Sequence, residues 1–237
     1  MNASWLFSLF RRTRNEDDEA RLDRYKQFRE LGRRYNLTLI KLLPPPALPE
    51  CAKKLGLYKA GTLILNQDDE IAVAYDYCLH HYRRAGKTVI DRTLEASPPA
   101  PGTLEAVYLQ AMAHAHFSLF RVLDILPQRG AQLIDLVTEV PVDLLDIGLS
   151  STGLPGMIVA GRLLSFEDFT MSSGTLIPIP EPVFESRIQP VIRKFLPEKP
   201  AAGPRMPRAH QAAFEAQILR IALHAGEDTS FFTDIEP

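Results

Sequence analysis

At 237 residues, with 46% hydrophobic and 24% charged positions, the chain has an ordinary globular composition and enough apolar residues for a real core, which argues against disorder. Lys+Arg of 27 against Asp+Glu of 29 leaves a formal charge of −2, so no global field draws it to nucleic acid or anionic lipid, and any such binding has to be a local patch. Cys51 and Cys78 show no framework spacing, which fits a reducing compartment, the cytoplasm, rather than a secreted disulfide scaffold.

Residues 1–15 read as a tail. The apolar run SWLFSLF is followed by Arg11, Arg12 and Arg14, whereas a secretory signal carries its positive charge first. No stretch approaches the ~20 apolar residues of a spanning helix. The expectation is a helix turn that docks or frays, and an interfacial anchor through Trp5, Phe7 and Phe10 is the competing reading. A membrane is not an expected partner.

Residues 16–116 read as a helical region. Acids open and arginines close the segment Glu16–Tyr35, in agreement with the helix dipole, and Leu22, Tyr25, Phe28 or Arg29, Leu31 or Gly32, and Tyr35 recur at helical spacing. Pro44, Pro45 and Pro46 force an extended connector, and Gly56 ends a short helix around Cys51. Asn66 or Asp68 is a candidate N-cap for the next helix, in which Ile71, Ala74, Tyr75, Cys78 and either Tyr82 or His81 share a face. Gly86 is expected as its left-handed C-cap, after Arg83 and Arg84 in the last turn. KTVIDRTLEA reads as a further helix, and Thr103 caps another whose buried stripe is Leu104, Val107, Tyr108 and Ala111.

The pattern changes at Phe117. Residues 117–180 hold six of the chain's 13 glycines and short β-type runs between turn signals, which predicts a small five-stranded antiparallel β-barrel. Residues 181–196 form a helix with Pro190 as an interruption, 197–208 a Pro-rich linker, 209–226 a C-terminal helix, and 227–237 a tail. The fold class is α+β: a helical region, then the barrel, then the C-terminal helix.

The densest cluster of reactive residue types is YDYCLHHYRRAGK at 75–87. Cys78 and His81 could share a helix face, but nothing brings His114 and His116 to them, so the stretch reads as a helix with a half-buried structural cysteine, and no metal or cofactor is expected. GKT at 86–88 lacks the P-loop's first glycine, since His81 stands there, and GLSST at 148–152 departs from the nucleophile-elbow pattern at Thr152. Ser150 and Ser151 read as turn residues.

Small barrels bind single strands through basic, aromatic faces. Here 117–180 carries three basic residues, Arg121, Arg129 and Arg162, against seven acids, a net of −4 that repels phosphate. A nucleic-acid surface would need Arg11, Arg12, Arg14, Arg33, Arg34, Arg83, Arg84 and Lys87. The C-terminal helix has an apolar face, Phe214, Ile218, Leu219 and Ile221, that must be covered by its own body, a protein partner or a second copy. The reading is therefore a noncatalytic protein-interaction or regulatory module, with nucleic-acid binding through the basic helices as the alternative and an enzyme of undetected class as the third.

Overall fold

A computed structural model describes residues 3–65, 69–196, 207–225 and 232–233, and of these the side chains of all but 3–16 and 232–233. Helix α1 (Ala3–Lys41) runs past Tyr35 because nothing breaks it before Pro44. Helix α2 (Ala47–Leu55) closes on Gly56 at φ 81°, as the sequence leads one to expect. A hairpin of β1 (Tyr58–Lys59) and β2 (Thr62–Leu63) follows, and then α3 (Asp69–His81). The expected caps Asn66 and Asp68 lie outside the described residues.

Helix α3 stops at His81, earlier than expected. Arg84 and Lys87 pair across Ala85 (φ 51°) and Gly86 (φ 78°), and two successive left-handed residues make a tight hairpin turn rather than a helix cap. The buried face of α3 is also rotated from the expected one. Val73, Ala74, Tyr77, Cys78 and His81 are buried, while Ile71 and Tyr75 are half-buried. Helix α4 (Val89–Ala96) begins with a reciprocal Thr88–Asp91 capping box, and α5 (Leu104–Ala113) with Thr103.

Strands β3 (His116–Leu126), β4 (Gly130–Asp135) and β5 (Pro141–Leu145) form a meander, followed by α6 (Ile147–Thr152), β6 (Ile158–Ser165) and β7 (Thr170–Ile179). The order β5-β4-β3-β6-β7 closes through β5 and β7 into a five-stranded barrel. The closure is parallel, Leu144 opposite Thr170 and Leu145 opposite Met171, so the barrel is mixed and not purely antiparallel as expected. A ring with an odd number of strands cannot alternate direction all the way round. Gly130 permits the curl: a Cβ there would lie 1.8 Å from the Leu144 carbonyl oxygen. GLSST is the short helix α6 rather than a turn. Asp146 caps it, and the Ser150 and Ser151 hydroxyls both donate back to the Ile147 carbonyl.

After the barrel, α7 (Glu181–Val183), a π-helical turn (Phe184–Ile188) and α8 (Gln189–Phe195) run on continuously, and the wide turn accommodates the missing N–H of Pro190. Helix α9 (Arg208–Leu223) and a two-residue strand, β8 (Phe232–Thr233), on the edge of β7 complete the described chain. No helix among the described residues is long and apolar enough to cross a membrane.

Three apolar clusters hold the molecule together. Phe120, Leu133, Leu144, Val159 and Leu176 fill the barrel, and Phe28, Leu109 and Met112 join α1 and α5 to Phe169 and Met171. The largest joins α2, α3 and α9 to the outer face of β3, β6 and β7 through Leu55, Tyr77, Leu119, Ile177 and Ile218.

Candidate functional site

The barrel has the five-stranded Greek-key form of an OB-type fold, and barrels of that kind bind ligands on the face of their second and third strands and on two flanking loops. Here α1 lies over both loops. From the loop after β3, Arg129 reaches Asp18 at 2.7 Å, and from the loop after β6, Asp168 meets Arg24 at 3.0 Å while Phe166 lies 4.3 Å from Phe28. Arg29 anchors the crossing, donating to Asp146 at 2.9 Å and to the Ser172 hydroxyl at 2.7 Å and carbonyl at 2.8 Å. The exposed residues of the strand face include Gln132 and Asp143, paired across β4 and β5, and neither is basic.

A second buried guanidinium holds the other helices. On β6, Arg162 shares the parity of Ile158 and Ala160, which turns it outward against α3 and α9. It is 1% exposed, donates from Nε to Asp76 of α3 at 2.9 Å, and donates from Nη2 to Glu215 of α9. The other oxygen of Glu215 accepts from His81 Nε2 at 2.7 Å. Burial alone would raise the Glu215 carboxyl, but the Arg162 charge and His81 hold it below the usual carboxylate range.

Two cavities flank this network. On the Arg162–His81 side, a polar cavity of about 90 Å³ is lined by His80, His81, Arg83, Thr88, Asp91, Arg162, Arg208 and Gln211 above an apolar floor of Ile90 and Met112. Inside it, His81 Nδ1 and His80 Nε2 are out of solvent and have no hydrogen-bond partner. On the Asp76 side, a groove of about 470 Å³ runs between α1, α3, α5 and β7, lined by Phe28, Leu37, Ile40, Ile71, Leu79, Tyr108 and Met171, with Arg33, Asn36 and Asp76 as polar members.

His80 yields a pH prediction. Burial, and then the Arg162 charge, push its imidazole well below the ordinary 6.5, so the fold keeps it neutral. The unfolded chain takes up that proton first as pH falls below ~6.5, so it binds more protons and stability is lost on acidification. Urea midpoints measured from ~pH 7.5 to ~5.5 should fall, and His80→Asn should flatten that slope. An unchanged slope in the variant would remove His80 from the account.

The residues expected to bind a partner are covered by the chain itself. Phe214, Ile218 and Leu219 are buried and Ile221 is half-buried, packed into the α2–α3–α9 cluster, and Phe214 meets Phe195 edge-on. The described members of the expected nucleic-acid set sit on α1 and on the turn after α3. Arg33 and Arg34 sit near Glu30, Arg83 bonds the Gly86 carbonyl and lies 3.5 Å from Asp91, and Lys87 pairs with Glu95. Arg84 is exposed on the hairpin turn, and the side chains of Arg11, Arg12 and Arg14 lie outside the described residues. Cys78 is fully buried, its thiol facing the Ala47 carbonyl at 3.5 Å. His114 ends α5 and bonds Gln110, while His116 turns outward to Asp135, so neither approaches Cys78 or His81 through a bond. Among the described residues no group of three or more His, Cys, Asp or Glu could hold a metal ion.

Sequence reasoning gave no site role to Arg29, Asp76 or Glu215, and counted Asp146 and Arg162 only in the net charge of the barrel segment. A usable signal existed for two of them: Glu215 interrupts the apolar face of its helix between Phe214 and Ile218, and Arg162 interrupts the run IVAGRLL.

The fold and its cavities define a class: a closed OB-type barrel clasped by helices through two buried arginine networks. Residues 19–197 match the model of DUF7986, described as a family of unknown function, and the chain belongs to that family. No curated protein and no solved structure matches it.

Proposed function

We propose that the protein is a noncatalytic regulatory module that binds a small amphipathic ligand in the groove between α1, α3, α5 and β7. The observation that carries this reading is the groove itself. At about 470 Å³ it falls within the range of small-molecule sites, and it combines an apolar lining with a few polar groups at fixed places. Leu37, 59% exposed, leaves one flank open. Tyr108 donates to Asn36 Oδ1 at 3.3 Å, which leaves the Asn36 amide N–H groups, with the half-exposed Arg33, as donors for an anionic end. The chemistry fits an apolar body carrying a carboxylate or sulfonate.

Anilinonaphthalene sulfonate has that chemistry and reports binding by fluorescence. It should bind the full chain saturably at one site, and Ala72→Trp, which fills the groove from α3, should weaken it by roughly tenfold or more while leaving the circular dichroism unchanged. Equal affinity in the filled variant would reject the groove as the site.

A further inference from the structure

The smaller cavity lies on the other side of the Arg162 network and is chemically unlike the groove. Its ionised neighbours fall into two groups. Arg162 is held between Asp76 and Glu215, and Arg83 lies 3.5 Å from Asp91, whose Oδ2 also accepts the Thr88 N–H at 2.9 Å. Arg208, exposed at the start of α9, makes no salt bridge within 4 Å among the described residues, although its charge acts on Asp91 together with that of Arg83. Helix α9 has no side-chain cap, and Arg208 and Gln211 of its first turn line the cavity, so the positive end of the helix dipole adds to the same side.

The buried imidazoles decide what the cavity lacks. The Glu215 carboxylate can only accept, so His81 donates to it from Nε2, which leaves Nδ1 facing the cavity. The His81 side chain is only 5% exposed, and a ring nitrogen buried to that degree without a partner is costly. His80 presents its Nε2 in the same state, and Arg162 engages Nε and Nη2, leaving Nη1. A neutral His80 can donate from Nε2, and His81 with a proton on each nitrogen can donate to Glu215 and into the cavity at once. Donors then converge from His80, His81 and Arg162, with the Arg208 charge at the mouth.

We infer that this cavity is a binding site for a tetrahedral oxyanion, either free phosphate or the phosphate end of a larger molecule, held by His80, His81, Arg162 and Arg208. A volume of about 90 Å³ exceeds what a single water needs and suits a group of five heavy atoms. Binding gives His81 Nδ1 the partner it lacks: a ring carrying both protons donates to the anion, and a ring protonated on Nε2 alone accepts from the hydroxyl of a hydrogen phosphate.

The test uses the full chain with inorganic phosphate and, in a second arm, ethyl phosphate, followed by titration calorimetry and by imidazole nitrogen NMR. Inorganic phosphate should bind at one site and shift the His81 Nδ1 resonance as that nitrogen gains a hydrogen-bond partner. Arg208→Gln, a change at an exposed side chain, should weaken binding roughly tenfold or more, as loss of a charge-assisted bond does, with the fold unaltered. Binding of phosphate alone identifies the free ion, and binding of both identifies an end group; either supports the site. Failure of both ligands to bind, or binding that moves neither histidine ring, overturns it and leaves the cavity to water. The outcome is independent of the groove, because Ala72→Trp lies outside this cavity.

Discussion

Replacing Arg162 with methionine will destabilise the protein by about 3–5 kcal/mol, the usual cost of removing one partner from a buried ion pair. The guanidinium is 1% exposed and holds Asp76 and Glu215 from two different helices, and Glu215 is 0% exposed. Without Arg162, Glu215 is a carboxylate in an apolar interface with only His81 beside it. Asp76 is better placed, since part of its surface reaches the groove. Chemical denaturation checks the value, and Arg162→Met combined with Glu215→Gln should recover part of the loss because the stranded charge is gone. The pH dependence must change as well. In the native protein the Glu215 carboxyl is held below its unfolded value of ~4.3, so its contribution is present above that pH and is lost as pH falls through the folded value. In the variant, burial dominates and raises the carboxyl, so acidification relieves the penalty. A loss under ~1 kcal/mol, or an unchanged acid limb, would mean that the network is not the clasp described.

Introducing charge into the core face of α9 should have an effect at least as large. Phe214 and Ile218 are buried against α2, α8 and the outer face of the barrel, and burial of each such side chain is worth about 1.5–3 kcal/mol before the cost of an unpaired carboxylate is added. Phe214→Asp with Ile218→Asp should detach α9, so that its amides exchange at rates of unstructured chain. The barrel should persist, since Phe120, Leu133, Leu144, Val159 and Leu176 form an interior cluster that does not include α9. Hydrogen exchange by segment distinguishes the outcomes. Continued protection of residues 208–223 would show that the face is not needed for docking. Simultaneous exchange of α9 and β6 would show that helix and barrel unfold as one unit, which the shared residues Ile158, Ala160 and Ile177 make the competing result.

Both variants address the same feature, the layer between helices and barrel, and this layer was the least legible part of the chain. The local elements were readable where a residue's own chemistry decides. Thr88 and Thr103 cap helices because a β-hydroxyl serves the free N–H groups of a first turn, and Gly56 ends one because it accepts a positive φ. Gly86 shows the limit: its left-handed geometry was foreseeable, but whether it closes a helix or a hairpin depends on the bridge between Arg84 and Lys87. The expected partner face at Phe214 and Ile218 was likewise visible as an apolar stripe, while its occupant was not.

Periodicity, glycine placement and the proline boundaries are enough to read off a helical region, a barrel beginning within one residue of Phe117, and an apolar C-terminal helix. These properties are local, or repeat along one element, and so survive in a one-dimensional reading. Long-range packing sets the rest: α1 covers the two barrel loops, the barrel closes through a parallel pair, and Asp76, Arg162, Glu215 and His81 meet although 86 and 53 positions separate Arg162 from its two carboxylates. A charged residue in an apolar run announces that a partner must exist, because an unpaired charge cannot be buried cheaply. Which residue answers it is set by the packing of elements remote in sequence, and the two cavities lie where that packing leaves space.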